Sequence, residues 1–503
     1  MMAGIGEARK ALAVAALRRS LRRASLPLVC ATLLAGPATA ETAEPLRVMS
    51  FNIEWGGTHV SFAQVVAAIR AADPDVVAVQ EAEGNLARLA GELGWEQHPA
   101  HHVVSRFPLI EPDADPRWLW VETRPGYGVA LANVHLPSDP YGEDLVRAGR
   151  PAGEVLALER RLRLPAIRPY IDALAPLVAA GVPVIVAGDF NAPSHLDWTK
   201  SALERWPERR YALTWPVSLA LAEAGFRDAW RSRHPDVVTA PGFTWWAARP
   251  RIADYNPGPG SDWQSRIDAV HVAGAVQVAD VRIVGERGAA EVEIDPWPSD
   301  HRAVVVDLRV EAVELPPFVA AVLPRAAAGR PMPVRWRNSS EAGRLRVRRA
   351  GAEIREQALA TESGTLALTL DAGRYDLLLE DANGRPVASA SLAVVAADAR
   401  PCVGLADAQP ASGEPLRVRF RNAPGNRYDW IAIYAADASA NDDYLAWRHA
   451  GARIDGTVTL TADNAAGPWP LPPGRYLARL LEDDGYRVLA ESPPFSIAAD
   501  RSE

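Results

Sequence analysis

The chain has 503 residues, 48% of them apolar, and a formal net charge of −8. That length exceeds one typical domain, and the apolar content excludes a disordered or low-complexity chain. The acidic balance counts against a protein that grips nucleic acid chiefly through its phosphates, which calls for a basic surface.

The N-terminus carries a basic run "RRSLRRAS" (18–25), an apolar stretch "LPLVCATLLAG" (26–36) too short to span a bilayer, and small residues "ATA" (38–40). This is the layout of a secretory signal peptide cleaved near Ala40, and it predicts a secreted or periplasmic bacterial protein. Removing residues 1–40 takes away six basic residues and one acid, leaving 48 basic and 61 acidic residues, net −13. Cys30 leaves with the signal, so Cys402 has no partner in the chain and reads as a small buried apolar residue. No later segment is apolar and long enough to cross a membrane.

From 46 to about 310, strand-like runs alternate with amphipathic helical stretches. "LRVMSFNI" (46–53), "DVVAVQE" (75–81), "GVALANVHL" (128–136), "VPVIVAGDF" (182–190), "RIDAVHV" (266–272) and "RAVVVDLRV" (302–310) read as strands. "SFAQVVAAIRAA" (61–72) reads as a helix with Ser61 and Gln64 placed as a capping box, and 152–180 as a long arginine-rich helix. Alternation of this kind implies sheets covered by helices, an α/β architecture.

After about 312, short alternating runs separated by Pro and Gly replace the helical pattern. "GRPMPVRWRN" (329–338) matches "GEPLRVRFRN" (413–422), and "AGRYDLLLEDANGRPVAS" (372–389) matches "PGRYLARLLEDDGYRVLAES" (473–492). The pairs are offset by 84 and about 101 residues, so the second copy carries an insertion. Two all-β sandwich modules of immunoglobulin-like size are expected, at 313–398 and 399–503, after a catalytic part at 41–312. In the insertion, Trp430, Tyr434, Tyr444 and Trp447 admit two readings: sandwich core, or an aromatic face that binds a surface or polymer.

Polar groups stand where the strands of the first part run out. Asn52 ends the first, Glu81 the second, His135 the strand "ANVH", and Asp189 and Asn191 the strand "VPVIVAGDF". Asp268 begins a later strand, and Asp300 and His301 precede the last. In layered α/β folds ligands gather where strands give way to loops. Asp189 and Asn191 alternate, so in extended geometry both face one way while Phe190 turns to the core.

The ordered set "SFNIEW … VQE … SRFP … NVHL … GDFN … RID … SDH" resembles the endonuclease/exonuclease/phosphatase superfamily over roughly residues 46–310. The resemblance implies a four-layered sandwich of two β-sheets flanked by helices, and metal-dependent phosphoester hydrolysis by in-line attack of water. It implies Glu81, Asn52 and Asp300 as the metal set, with Mg²⁺ the expected ion and Mn²⁺ or Ca²⁺ the alternatives. Hard cations take oxygen ligands, often one or two carboxylates plus substrate phosphate. It further implies that Asp268 orients His301, that Asp189 poises the nucleophile or protonates the leaving group, that Asn191 holds a phosphoryl oxygen, and that His135 donates from the opposite side.

Other residues stay open between two readings. Trp297 is a candidate for stacking on a substrate ring, alongside "TWW" (244–246) and Trp263. Arg147, Arg150, Arg160, Arg161, Arg163 and Arg168 fit a solvated helix face with Glu154 and Glu159, or a phosphate-binding rim. Ser194 and Asp197 fit a helix cap, or with His195 a substrate contact, and His101 and His102 fit a solvated strand end or a place near the cleft. The sequence thus predicts a secreted Mg²⁺-dependent phosphoesterase, acting on a phospholipid head group, a sugar or inositol phosphate, or nucleic acid. The alternatives are a non-specific nuclease of the deoxyribonuclease I type, disfavoured by the acidic balance, and a catalytically silent binding protein. Loss of a metal ligand or of the final Asp-His pair would favour the latter, and none is lost.

Overall fold

The computed structural model describes residues 43–112, 117–251, 264–323, 325–407 and 413–498. The expected signal segment, Cys30 and Trp263 lie outside them. The catalytic part is built on strands β1 (Glu44–Asn52), β2 (Val76–Gln80), β3 (Glu96–His98), β4 (Val103–Ser105), β5 (Leu109–Ile110), β6 (Leu119–Arg124) and β7 (Tyr127–His135). It continues with β8 (Val184–Asp189), β9 (Arg227–Asp228), β10 (Asp268–Ala273), β11 (Val276–Gly285), β12 (Val292–Glu293), β13 (Ala303–Val310) and β14 (Val313–Glu314). One sheet runs β12-β11-β13-β1-β2-β4-β3; the other runs β5-β6-β7-β8-β10-β9, with β14 added against β7.

The inner faces of the two sheets pack on each other through Val48, Val76, Leu131, Ile185, Val270 and Val306. The outer face of the first sheet is covered by helices Phe62–Ala72 and Leu86–Leu93, that of the second by Ala152–Ala179 and Pro216–Glu223. Each strand between two apolar layers is buried on both faces, which is why β2 and β8 read as continuous apolar runs. Gly188 is required by close approach. A Cβ there would stand 2.0 Å from the Val134 carbonyl oxygen of the neighbouring strand.

The long strands and helices fall within a residue or two of their expected positions. β3 to β6 and β11 were not anticipated, being short, irregular or bulged. Three local readings are corrected. Ser61 makes no side-chain capping bond: the Gln64 N–H goes to the Ser61 carbonyl, and the Gln64 side-chain amide donates to the Asp295 carbonyl. The cap near 196 is Thr199, whose hydroxyl accepts from Ala202 N–H; Asp197 is instead buried between Arg231 and Arg266. Cys402 is exposed, not buried. No helix among the described residues is long and apolar enough to cross a membrane.

Each repeat forms a three-stranded and a five-stranded sheet. The matched segments occupy equivalent strands: Met332–Arg337 with Leu416–Arg421, and Gly373–Asp381 with Gly474–Leu481. In both copies the tyrosine of the "GRY" triplet is buried and donates its hydroxyl proton four residues back, Tyr375 to Asp371 O and Tyr476 to Pro472 O. Trp430 and Tyr434 are core, while Trp447 and Tyr486 are exposed beside them.

The second repeat also packs on the catalytic part. Arg427 donates to the Asn133 carbonyl at 2.6 Å and to the Tyr170 hydroxyl, and its N–H donates to Pro99 O. Asp483 joins His102 Nε2 at 2.7 Å through one oxygen and accepts Gly84 N–H at 2.8 Å through the other. His102 and Asp483 are each 1% exposed, so this polar pair is sealed between the two parts.

Candidate functional site

Strand pairing assembles the site. In the second sheet His135, Asp189 and Asp268 lie side by side on β7, β8 and β10. In the first sheet Asn52 ends β1 beside Gln80 of β2, so Glu81 follows at the same edge, and Asp300 and His301 precede β13, the partner of β1 on its other side. Ser299 stitches these segments together. Its hydroxyl donates to Asn52 O at 2.7 Å and accepts His301 N–H at 3.0 Å.

The side chains converge on one cleft. Asn52 Nδ2 donates to Glu81 Oε1 at 2.9 Å and to Asp189 Oδ2 at 3.1 Å, while its Oδ1 accepts Glu54 N–H. His301 Nδ1 lies 2.9 Å from Asp268 Oδ2; its Nε2 lies 3.8 Å from Asp189 Oδ2 and 3.9 Å from Asp300 Oδ1. His135 Nε2 lies 3.7 Å from Asp189 Oδ2 and 4.0 Å from Glu81 Oε1. Asp189 Oδ1 accepts Asn191 N–H at 2.8 Å, leaving Oδ2 turned to the cleft. Asn191, at φ 49°, donates to Leu136 O and accepts the Tyr141 hydroxyl.

The electrostatics follow from burial and crowding. Burial, then the Asp268 charge, pushes Asp189 up to about 6, against the pull of His301, His135 and Asn191 N–H. Burial raises Asp300 to about 7, with Glu54 and Glu81 adding repulsion that His301 only partly offsets. Burial opposes charge on His301, yet Asp268, Asp300 and Asp189 together raise it well above its ordinary value, which favours the protonated ring. Glu81 and Asp300 offer hard oxygen donors with some exposure to the cleft, and a divalent cation there would relieve the repulsion that raises Asp300. The residues present fit such an ion. Asn52 turns its nitrogen, not its oxygen, toward the carboxylates, which makes it a positioning residue.

One candidate is corrected. Trp297 is 1% exposed, stacks on Phe51 at 5.3 Å and donates its indole N–H to His301 O at 2.8 Å. It cannot reach a substrate; it braces the backbone of His301 from the core. His101 and His102 are buried rather than solvated. Of the arginines, Arg163 is buried with Glu159 and holds the Ser138 and Pro140 carbonyls of the loop before Tyr141, while Arg150 pairs with Glu154 on the exposed face.

Several residues of the site were missed. Glu54 is buried against Arg249, accepts Asp300 N–H at 3.0 Å, and stands inside the quoted "SFNIEW". Trp245, by contrast, was already among the "TWW" candidates, and it does reach the site: it donates to Asp300 Oδ2 and stacks on Tyr141. Thr244 Oγ1 accepts the N–H groups of Ile267 and Asp268. Tyr428, from the second repeat, stands 6.3 Å from His135 ring to ring. Its sequence signal is only the polar triplet "NRY" between two strands of the repeat.

Comparison with known proteins places the site in context. Residues 49–301 match the model of the Endonuclease/Exonuclease/phosphatase family. A Caenorhabditis elegans protein, "Uncharacterized protein F14F9.5", is 29% identical over 316 residues, covering 56% of this chain and 96% of that protein. Among solved structures, truncated Caenorhabditis elegans TDP2 is similar at 17% identity and a TM-score of 0.33, covering 53% of this chain and 97% of that one. An AP endonuclease from Archaeoglobus fulgidus is similar at 16% identity and a TM-score of 0.33, covering 52% and 98%.

Proposed function

The chain belongs to the endonuclease/exonuclease/phosphatase family, whose members hydrolyse phosphoesters with divalent metals, and on that premise we propose that it is an exported, Mg²⁺-dependent phosphodiesterase. The observation that carries this reading is Asp189 Oδ2, poised between His301 Nε2 at 3.8 Å and His135 Nε2 at 3.7 Å. One carboxylate oxygen thus lies just beyond hydrogen-bond length from two imidazoles, so base and donors converge on one point.

Glu81 and Asp300 would hold the ion, which when bound neutralises phosphoryl oxygens and leaves phosphorus open to attack. Asp189 then orients a water and takes its proton as the water oxygen bonds to phosphorus. His301, fixed by Asp268, donates a hydrogen bond to a non-bridging oxygen whose charge grows as the water oxygen bonds to phosphorus. His135 donates a proton from the far side to the leaving oxygen as the ester bond breaks. Asn191 keeps Asp189 Oδ1 occupied, so that only Oδ2 serves as base. Export is supported by the basic-then-apolar segment before Ala40. The two-sheet repeats with paired tyrosine corners support an immunoglobulin-like reading of the modules.

A substrate panel tests the reading: bis(p-nitrophenyl) phosphate, sphingomyelin, phosphoinositides and plasmid DNA, each with Mg²⁺ and with EDTA. Turnover of at least one diester, abolished by EDTA and restored by excess Mg²⁺, is the expected result. Turnover of monoesters alone would overturn the diesterase reading, and turnover insensitive to EDTA would overturn the metal.

A further inference from the structure

A second group of ligand-type side chains lies outside the catalytic cleft. His98 ends β3, His101 sits in the β3–β4 turn, and Glu111 follows β5. His98 Nε2 lies 3.3 Å and His101 Nε2 3.8 Å from the two oxygens of Glu111, and the three donor atoms all fall within 4.8 Å of one another. The imidazole rings meet edge to face at 4.7 Å. His101 Nε2 is buried, aimed at this carboxylate and without a hydrogen-bond partner. A buried nitrogen left this way costs about 1–3 kcal/mol unless something fills the gap.

We propose that His98, His101 and Glu111 bind a zinc ion that clamps the two sheets together at their edges. β3 is the outer strand of the first sheet and β5 the outer strand of the second, so an ion held by all three residues cross-links the sandwich. Two imidazoles and a carboxylate suit Zn²⁺ and not Mg²⁺, which separates this site chemically from the oxygen donors of the cleft. Ligands at ~2.0–2.2 Å in tetrahedral array stand roughly 3.3–3.5 Å apart; the His98–Glu111 distance of 3.3 Å already matches, and the 3.8 Å from His101 needs only a small approach. Arg427 is the neighbouring cation, and its guanidinium is already engaged by Asn133 O and Tyr170. The clamp has a consequence for the cleft. The carbonyls of His101 and His102 accept Asn133 Nδ2, two residues before His135 on β7, and His102 anchors Asp483 of the second repeat.

The test uses full-length Glu81→Gln protein, in which the catalytic metal site is weakened, stripped with EDTA and titrated with Zn²⁺ in excess Mg²⁺. One zinc ion per chain and a raised Tm are expected. Adding His98→Gln or Glu111→Gln should weaken zinc binding by ~100-fold or more and abolish the rise in Tm. Zinc uptake that is absent, or unchanged by those substitutions, would overturn the proposal. If the added substitutions prevent folding, X-ray absorption of zinc-loaded Glu81→Gln decides: imidazole scatterers at ~2.0–2.1 Å support the site, and their absence refutes it.

Discussion

His301 Nδ1 lies 2.9 Å from Asp268 Oδ2, and the two residues belong to different sheets: Asp268 opens β10, His301 precedes β13. The His301 ring is therefore fixed only while the two sheets keep their relative position. Site geometry and sandwich packing are one problem, and Trp297 joins them by bracing the His301 carbonyl from the core.

The metal set gives the first prediction. Glu81→Gln should weaken Mg²⁺ binding and lower turnover by roughly two or more orders of magnitude, the scale of losing a main electrostatic contributor. Its Tm without metal should match the parent, since Glu81 serves the cleft edge and not the core. Calorimetric Mg²⁺ titration beside thermal melting checks both parts; normal turnover at limiting Mg²⁺ contradicts the assignment.

Asp189 and Phe190 are neighbours with opposite duties. Asp189→Asn should abolish most turnover with the fold intact. Phe190→Ala should cost about 3–5 kcal/mol of stability, the usual range for a buried aromatic, while activity per folded molecule falls less. Urea unfolding and initial rates on the same preparations read the contrast. Equal destabilisation by both, with Asp189→Asn still active, would reduce "GDFN" to a turn.

The raised Asp189 also fixes a sign in pH. A carboxyl whose folded value is lifted from 3.8 to about 6 resists ionisation in the native state. Its contribution favours folding fully below about pH 4 and is lost as pH rises through about 6. In EDTA, the stability of Asp189→Asn relative to the parent should therefore rise as pH increases from about 4 to above 6. Denaturant midpoints across that window test it; an advantage that grows on acidification contradicts it.

Arg427 carries the junction with the second repeat. Arg427→Ala leaves the Asn133 carbonyl and the Tyr170 hydroxyl without their partner and should cost about 2–4 kcal/mol. It should also loosen Tyr428 from His135 and raise KM more than it lowers kcat. An unchanged melting curve would show that the repeat does not depend on this contact.

What the sequence carried, and what it did not, follows from the range of the interactions. Asn52, Glu81, His135, Asp189 and Asp268 were legible because a polar residue at the end of an apolar run is locally anomalous. Their convergence was legible because the motifs keep a family order. Trp297 was misread because closeness to Asp300 along the chain does not say which way a ring turns; Phe51, on another strand, decides that. Glu54, Thr244 and Tyr428 act through contacts spanning tens to hundreds of residues, with no local pattern to mark them. The burial of His101 and His102 depends on Arg427 and Asp483, more than three hundred residues away, which no strand-end rule anticipates. The same distance hid how the second repeat comes to stand beside His135.

The most direct measurement is the Mg²⁺-dependent rate of bis(p-nitrophenyl) phosphate hydrolysis by the parent and by Asp189→Asn, at matched folded concentration and with an EDTA control. The account predicts hydrolysis by the parent that needs the metal, and a rate at least ~100-fold lower for Asp189→Asn at saturating Mg²⁺. Hydrolysis by Asp189→Asn at the parent rate would contradict it.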